Sequence, residues 1–179
     1  NNNQTIASIT GGGTTGGNVT LGSGILTVGN STTTTYAGAI SGTGGQLVKQ
    51  GSGQLTLSGT NTYTGGTTIN AGKLKFNSTS ALPTTGTVLI NTDGTLLASG
   101  AYSKPSSWLS SGKIDTASTG TLALVSSSSS SISMGSYADL SIGANGPWTL
   151  SGTLTPAGST YRLGGGGGTL SVSSSMSGT

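Results

Sequence analysis

The stretch Gly53-Gln54-Leu55-Thr56-Leu57-Ser58-Gly59-Thr60-Asn61-Thr62-Tyr63-Thr64-Gly65-Gly66-Thr67-Thr68-Ile69-Asn70-Ala71-Gly72-Lys73-Leu74 contains two short runs in which apolar and polar residues alternate. A glycine pair lies between them. Gly-x-Leu stands at either end of the phrase. Alternation of period two places Leu55 and Leu57 on one face of an extended strand and Gln54 and Thr56 on the other. The opening returns along the chain, as Gly24-Ile25-Leu26-Thr27-Val28, Gly72-Lys73-Leu74-Lys75-Phe76 and Gly94-Thr95-Leu96. Further copies are Gly120-Thr121-Leu122-Ala123-Leu124, Gly152-Thr153-Leu154 and Gly168-Thr169-Leu170-Ser171-Val172. The leucines stand 29, 19, 22, 26, 32 and 16 residues apart. A unit that recurs every few tens of residues predicts a stacked architecture, in which no repeat buries its apolar face alone.

Working outward, other alternating pairs fill the gaps: Val19/Leu21, Val88/Ile90, Ile132/Met134, Leu140/Ile142 and Trp148/Leu150. The four prolines, at 83, 105, 147 and 156, fall between these pairs. They belong there, because proline removes a donor from a strand ladder. The reading is all-β, a right-handed parallel β-helix (β-solenoid) whose inward Leu, Ile and Val stack in columns. Residues 1–179 form one such segment. An antiparallel β-sandwich is the runner-up, since it too has short strands between turn signals. The shared Gly-x-Leu signature favours the solenoid.

Composition removes several function classes. The 179 residues include 34 glycines but only three acids and six lysines or arginines, for a net charge of +3. With no Cys and no His, Ser-His and Cys-His catalysis and Cys- or His-based metal sites are excluded. The basic residues are scattered, which argues against a nucleic-acid partner. No apolar run reaches the roughly 20 residues a membrane-spanning helix needs. The chain opens at Asn1 without Met, and it is expected to be a piece of a longer repetitive protein.

The segment from about 44 to 76 resembles the autotransporter-associated β-strand repeat, or passenger-associated transport repeat. Gly53, Leu55, Leu57, Gly59, Asn61, Tyr63, Gly65, Gly66, Thr67, Ile69, Gly72 and Leu74 carry the likeness, with Lys49-Gln50-Gly51 as its lead-in. Trp148–Pro156 and Tyr161–Leu170 look like stretches of very large repetitive bacterial surface proteins. The resemblance implies a β-helical passenger or stalk, exported across the outer membrane to the cell surface.

Candidate sites are few. Asp93, Asp115 and Asp139 lie 22 and 24 residues apart, near one coil each. Such acids could stack as in a polysaccharide lyase, but turn and surface roles are expected for them. Gly164–Gly168 lacks the Lys-Ser/Thr that a phosphate loop requires, and reads as a tight corner or a close backbone approach. Ser126–Ser131 is either a flexible or sugar-modified insert or an ordered strand. Asn3, Asn18, Asn30 and Asn77 head glycosylation sequons. Tyr102, Trp108 and Trp148 are the candidate interface or glycan contacts, weighed against a packing role. No catalytic residue, metal or cofactor is expected. The expected function is a non-enzymatic scaffold that stacks end to end or continues into flanking repeats. The alternative is an adhesin passenger that binds glycans or cells through its loops.

Overall fold

The computed structural model describes residues 2–13, 17–173 and 175–176. The chain winds in successive coils. β1 (Gln4–Ile6) and β2 (Val19–Thr20) are followed by β3 (Ile25–Val28), β4 (Thr34–Tyr36) and β5 (Ile40–Ser41). β6 (Gln46–Lys49) and β7 (Gln54–Leu57) come next, then the long strands β8 (Thr67–Phe76) and β9 (Val88–Ala98). A short helix, α1 (Pro105–Ser110), precedes β10 (Thr121–Leu124), β11 (Ile132–Ser133) and β12 (Ser141–Ala144). β13 (Trp148–Leu150), β14 (Leu154–Thr155) and β15 (Leu170–Val172) complete the order.

Every pairing between these strands is parallel. That register is a β-solenoid and removes the antiparallel sandwich. β8 turns a corner: Thr67–Ile69 lie beside β6, while Lys73–Phe76 lie beside β7. Gly72 sits at that corner with φ +69°. A Cβ there would stand 2.2 Å from the carbonyl oxygen of Gly51 on the coil below, so both conformation and space require glycine.

The columns follow from the registers. Leu55 stacks on Leu74, Leu74 on Leu96, Leu96 on Leu122 and Leu122 on Ile142. A second column runs Leu26, Leu47, Thr67, Val88 and Ile114. All of these residues are buried. Each apolar member stabilises by roughly 1.5–3 kcal/mol, which offsets the backbone entropy of so glycine-rich a chain only when coils cover one another. The Gly-x-Leu copies therefore do not share one column. Leu26 stacks on Leu47, Leu154 on Ile132 and Leu170 on Trp148. The unit marks entry to an inward strand, and different faces of the coil use it.

The remaining motif residues serve the stack. Asn61, 3% exposed, accepts from the Ile40 amide (2.9 Å) and donates to the Ala81 carbonyl (2.6 Å), bridging three levels. The Tyr63 hydroxyl lies 2.6 Å from Thr67 Oγ1, so its buried oxygen is satisfied. Asn91 donates to Asn70 on the neighbouring coil at 2.7 Å.

Candidate functional site

One coil is longer than its neighbours. Thr67 pairs with Val88 and Leu74 with Leu96, but Val88 then pairs with Ile114 and Leu96 with Leu122. The extra residues hold α1. Proline at its first turn presets the backbone, and Lys104 before it is extended. No side chain caps its N-terminus, while at the C-terminus the Ser111 hydroxyl donates to the Trp108 carbonyl at 2.6 Å, and packing holds the helix to the coil. Trp108 is fully buried, 6.1 Å from Phe76 and 5.0 Å from Tyr102 between ring centroids, the latter edge to face. The Tyr137 hydroxyl donates to the Leu109 carbonyl at 3.1 Å and ties the end of α1 to the next coil. Tyr137 is buried, and burial together with the nearby Asp115 carboxylate pushes its phenol pKa up.

Two clefts flank this insertion. The larger, about 580 Å³, lies between α1 and the segment around β11. Ser106, Ser107 and Ser110 line it from the helix, and Ser131, Ser133 and Ser136 from the coil. Thr116 adds a seventh hydroxyl, while Leu109, Met134 and Tyr137 form an apolar strip. The smaller cleft, about 170 Å³, lies between Ser103–Pro105 and Leu124–Ser129.

The aromatic candidates separate by position. Tyr102 and Trp148 are half-buried, whereas the Trp108 ring presents no surface to a ligand and serves as the anchor of α1. Sequence reading could not single out this anchor, because six residues are too few to show a helical period. It also missed the cleft beside Ser131–Ser136, whose serines look like any polar loop. Within the six-serine run, Ser128 pairs with Leu150, so that part is an ordered level of the ladder.

The acids stay apart in role. Asp115 closes a turn by accepting from the Ala117 amide at 3.0 Å, and Asp139 pairs with Arg162 at 2.8 Å on the surface. Asp93 lies beside Ala71 at the β8–β9 irregularity. Among the described residues no three acids gather into a metal-binding group. Among the described residues no helix is long and apolar enough to cross a membrane. The glycine run approaches the outer face of β10. A Cβ on Gly165 would stand 2.3 Å from Thr121 Oγ1, and one on Gly166 would stand 2.8 Å from Ala123 Cβ. Beneath the run, outward-facing Ala123 and its partner Leu97 are buried. Nearby, Lys73 Nζ donates to Asn145 Oδ1. Of the sequon asparagines, Asn3 accepts from the Ile25 amide and Asn18 from the Ala39 amide, both at 2.9 Å, and Asn30 accepts from Thr32.

Residues 47–76 match the family model of the passenger-associated-transport-repeat. A 73-residue stretch is 49% identical to the adhesin BmaC autotransporter of Brucella suis biovar 1 (strain 1330). That alignment covers 39% of this chain and 2% of the Brucella protein. No solved structure matches. The chain thus carries an autotransporter passenger repeat on a parallel β-solenoid, and its place is the outside of the cell.

Proposed function

We propose that this chain is a non-enzymatic, load-bearing segment of a surface passenger, a rod that holds other parts of the protein away from the cell. The observation that supports this most directly is the continuous parallel ladder over an apolar interior, with each coil held through neighbouring levels. β1 and β15 each pair on one side only among the described residues, so their other edges are available to flanking repeats or to a second copy end to end. In the parent protein, replacing this segment by a Gly/Ser linker of equal length should collapse the projection seen by electron microscopy of whole cells. An unchanged projection would refute the rod. Sedimentation across a wide concentration range tests the end-to-end contact separately: growth of the particle with concentration supports it, and a constant monomer refutes it.

Adhesion is a second reading, favoured by the name of the Brucella relative and by the single insertion that breaks the rod's regularity. Tyr102 and Trp148 stand as contacts on that reading. Binding of the chain to host-cell surfaces that falls on Tyr102→Ala would support it.

A further inference from the structure

We propose that the cleft between α1 and the β11 coil is a binding site for a neutral carbohydrate. This deepens the adhesive reading and rests on it for an external ligand. The lining is chemically one-sided. Besides Tyr137, whose hydroxyl already donates to the Leu109 carbonyl, its polar side chains are seven serine and threonine hydroxyls, and neither an acid nor a base is among them. Ser106, Ser107, Ser131, Ser133, Ser136 and Thr116 make no side-chain hydrogen bond to the protein among the described residues, whereas Ser110 donates to the Ser107 carbonyl.

Hydroxyls both donate and accept and rotate to suit a partner. A dense set of them, free of protein partners, matches a ligand that is itself a set of hydroxyls. A charged ligand would leave its counter-charge unmet here. Leu109, Met134 and Tyr137, nearly buried, form a narrow apolar floor against which a C–H edge of a sugar can rest. At about 580 Å³ the cleft lies within the range of small-molecule sites.

The walls are set before any ligand arrives. Trp108 locks the helix into the core, and the Tyr137 hydroxyl ties the helix end to the opposite wall. A ligand then meets preformed walls, and only the hydroxyl rotors are left to settle. Two further clefts on the solenoid are smaller, about 170 and 320 Å³.

The test uses the full chain on a printed array of neutral and sialylated glycans, with Ser133→Trp to fill the cleft from an exposed strand position. Thr35→Trp on β4 serves as a control outside the lining. Circular dichroism melting confirms that both variants fold, and Ser107→Tyr replaces Ser133→Trp if that variant does not. The expected result is binding to one or more neutral glycans, lost in the cleft-filling variant and retained in Thr35→Trp. Three outcomes overturn the proposal: neutral-glycan binding unaffected by filling, binding restricted to sialylated glycans, or no glycan bound. The adhesive reading survives the last of these if the chain still binds host cells, and fails with the proposal if it binds neither.

Discussion

At the scale of single residues, Lys49 is the departure that the sequence pattern does not announce. It occupies the column between Val28 and Ile69, a place its neighbours fill with apolar side chains, and it is 2% exposed. Its ammonium reaches the coil corner, where it donates to the carbonyls of Gln50, Gly51 (2.8 Å) and Ala71 (3.2 Å). The long stem thus fills the column while the charge is met by backbone oxygens. Burial lowers its pKa to about 8. Between pH 8 and the ordinary lysine range the unfolded chain holds a proton that the folded chain has released. Stability therefore rises with pH across that window and is lowest below it. Tyr63, Tyr36 and Tyr137 act in the opposite sense, because burial raises each phenol. Above pH 10 the unfolded chain loses phenolic protons that the folded chain keeps, so stability falls again. Thermal melts should accordingly show a maximum near pH 9–10. In Lys49→Met the rise from pH 8 should disappear while the fall above pH 10 remains. A wild-type melting temperature that declines from pH 8 to 9.5 would show that the ammonium is not desolvated.

At the scale of elements, α1 is anchored chiefly by one ring, that of Trp108, with the Tyr137 hydroxyl tying its end. Truncating a fully buried tryptophan costs about 3–5 kcal/mol, and Trp108→Ala should lower stability by that order in chemical denaturation. Trp108→Phe should cost much less. The indole Nε1 has no hydrogen-bond partner among the described residues, so phenylalanine sacrifices volume but no bond. Limited proteolysis should cut the alanine variant first within residues 99–112. Cleavage spread evenly along the chain would mean that the ring supports the rod as a whole. How far the elements were legible in sequence follows from period. The inward pairs Leu55/Leu57, Leu122/Leu124 and Val88/Ile90 announce themselves by alternation, because a strand shows its face every second residue. The parallel coil followed from the return of Gly-x-Leu. Which face each copy enters did not follow, because loop length decides that, and Gly24, Gly53 and Gly152 look alike in sequence while opening strands of different columns. The helix escaped because a lone Pro-Ser-Ser-Trp-Leu-Ser turn has no periodic face. The cleft escaped because it is made by two stretches about 25 residues apart, each unremarkable by itself.

At the scale of the whole molecule, the coils form a nearly one-dimensional array, and most of their stability comes from contacts with the levels directly above and below. A whole coil should then be removable where part of one is not. Gln46 stacks on Ile25, and Leu47 in turn carries Thr67. Deleting residues 46–65 joins Gly45 to Gly66 and brings Leu26 directly under Thr67. On the next face it brings Thr34 and Tyr36 under Leu74 and Phe76, the positions that Leu55 and Leu57 had linked. Every column stays in register, at the loss of the one level that holds Lys49, Asn61 and Tyr63. Deleting only residues 51–60 removes β7 and leaves Lys49 and Asn61 on a shortened corner that cannot reach the next face. The first variant should retain a β-sheet circular dichroism spectrum and a single cooperative melt at lower temperature. The second should lose cooperativity or fail to fold. If both deletions abolished folding, the array would be one indivisible unit. If both were tolerated, the registered columns would not be what specifies the structure.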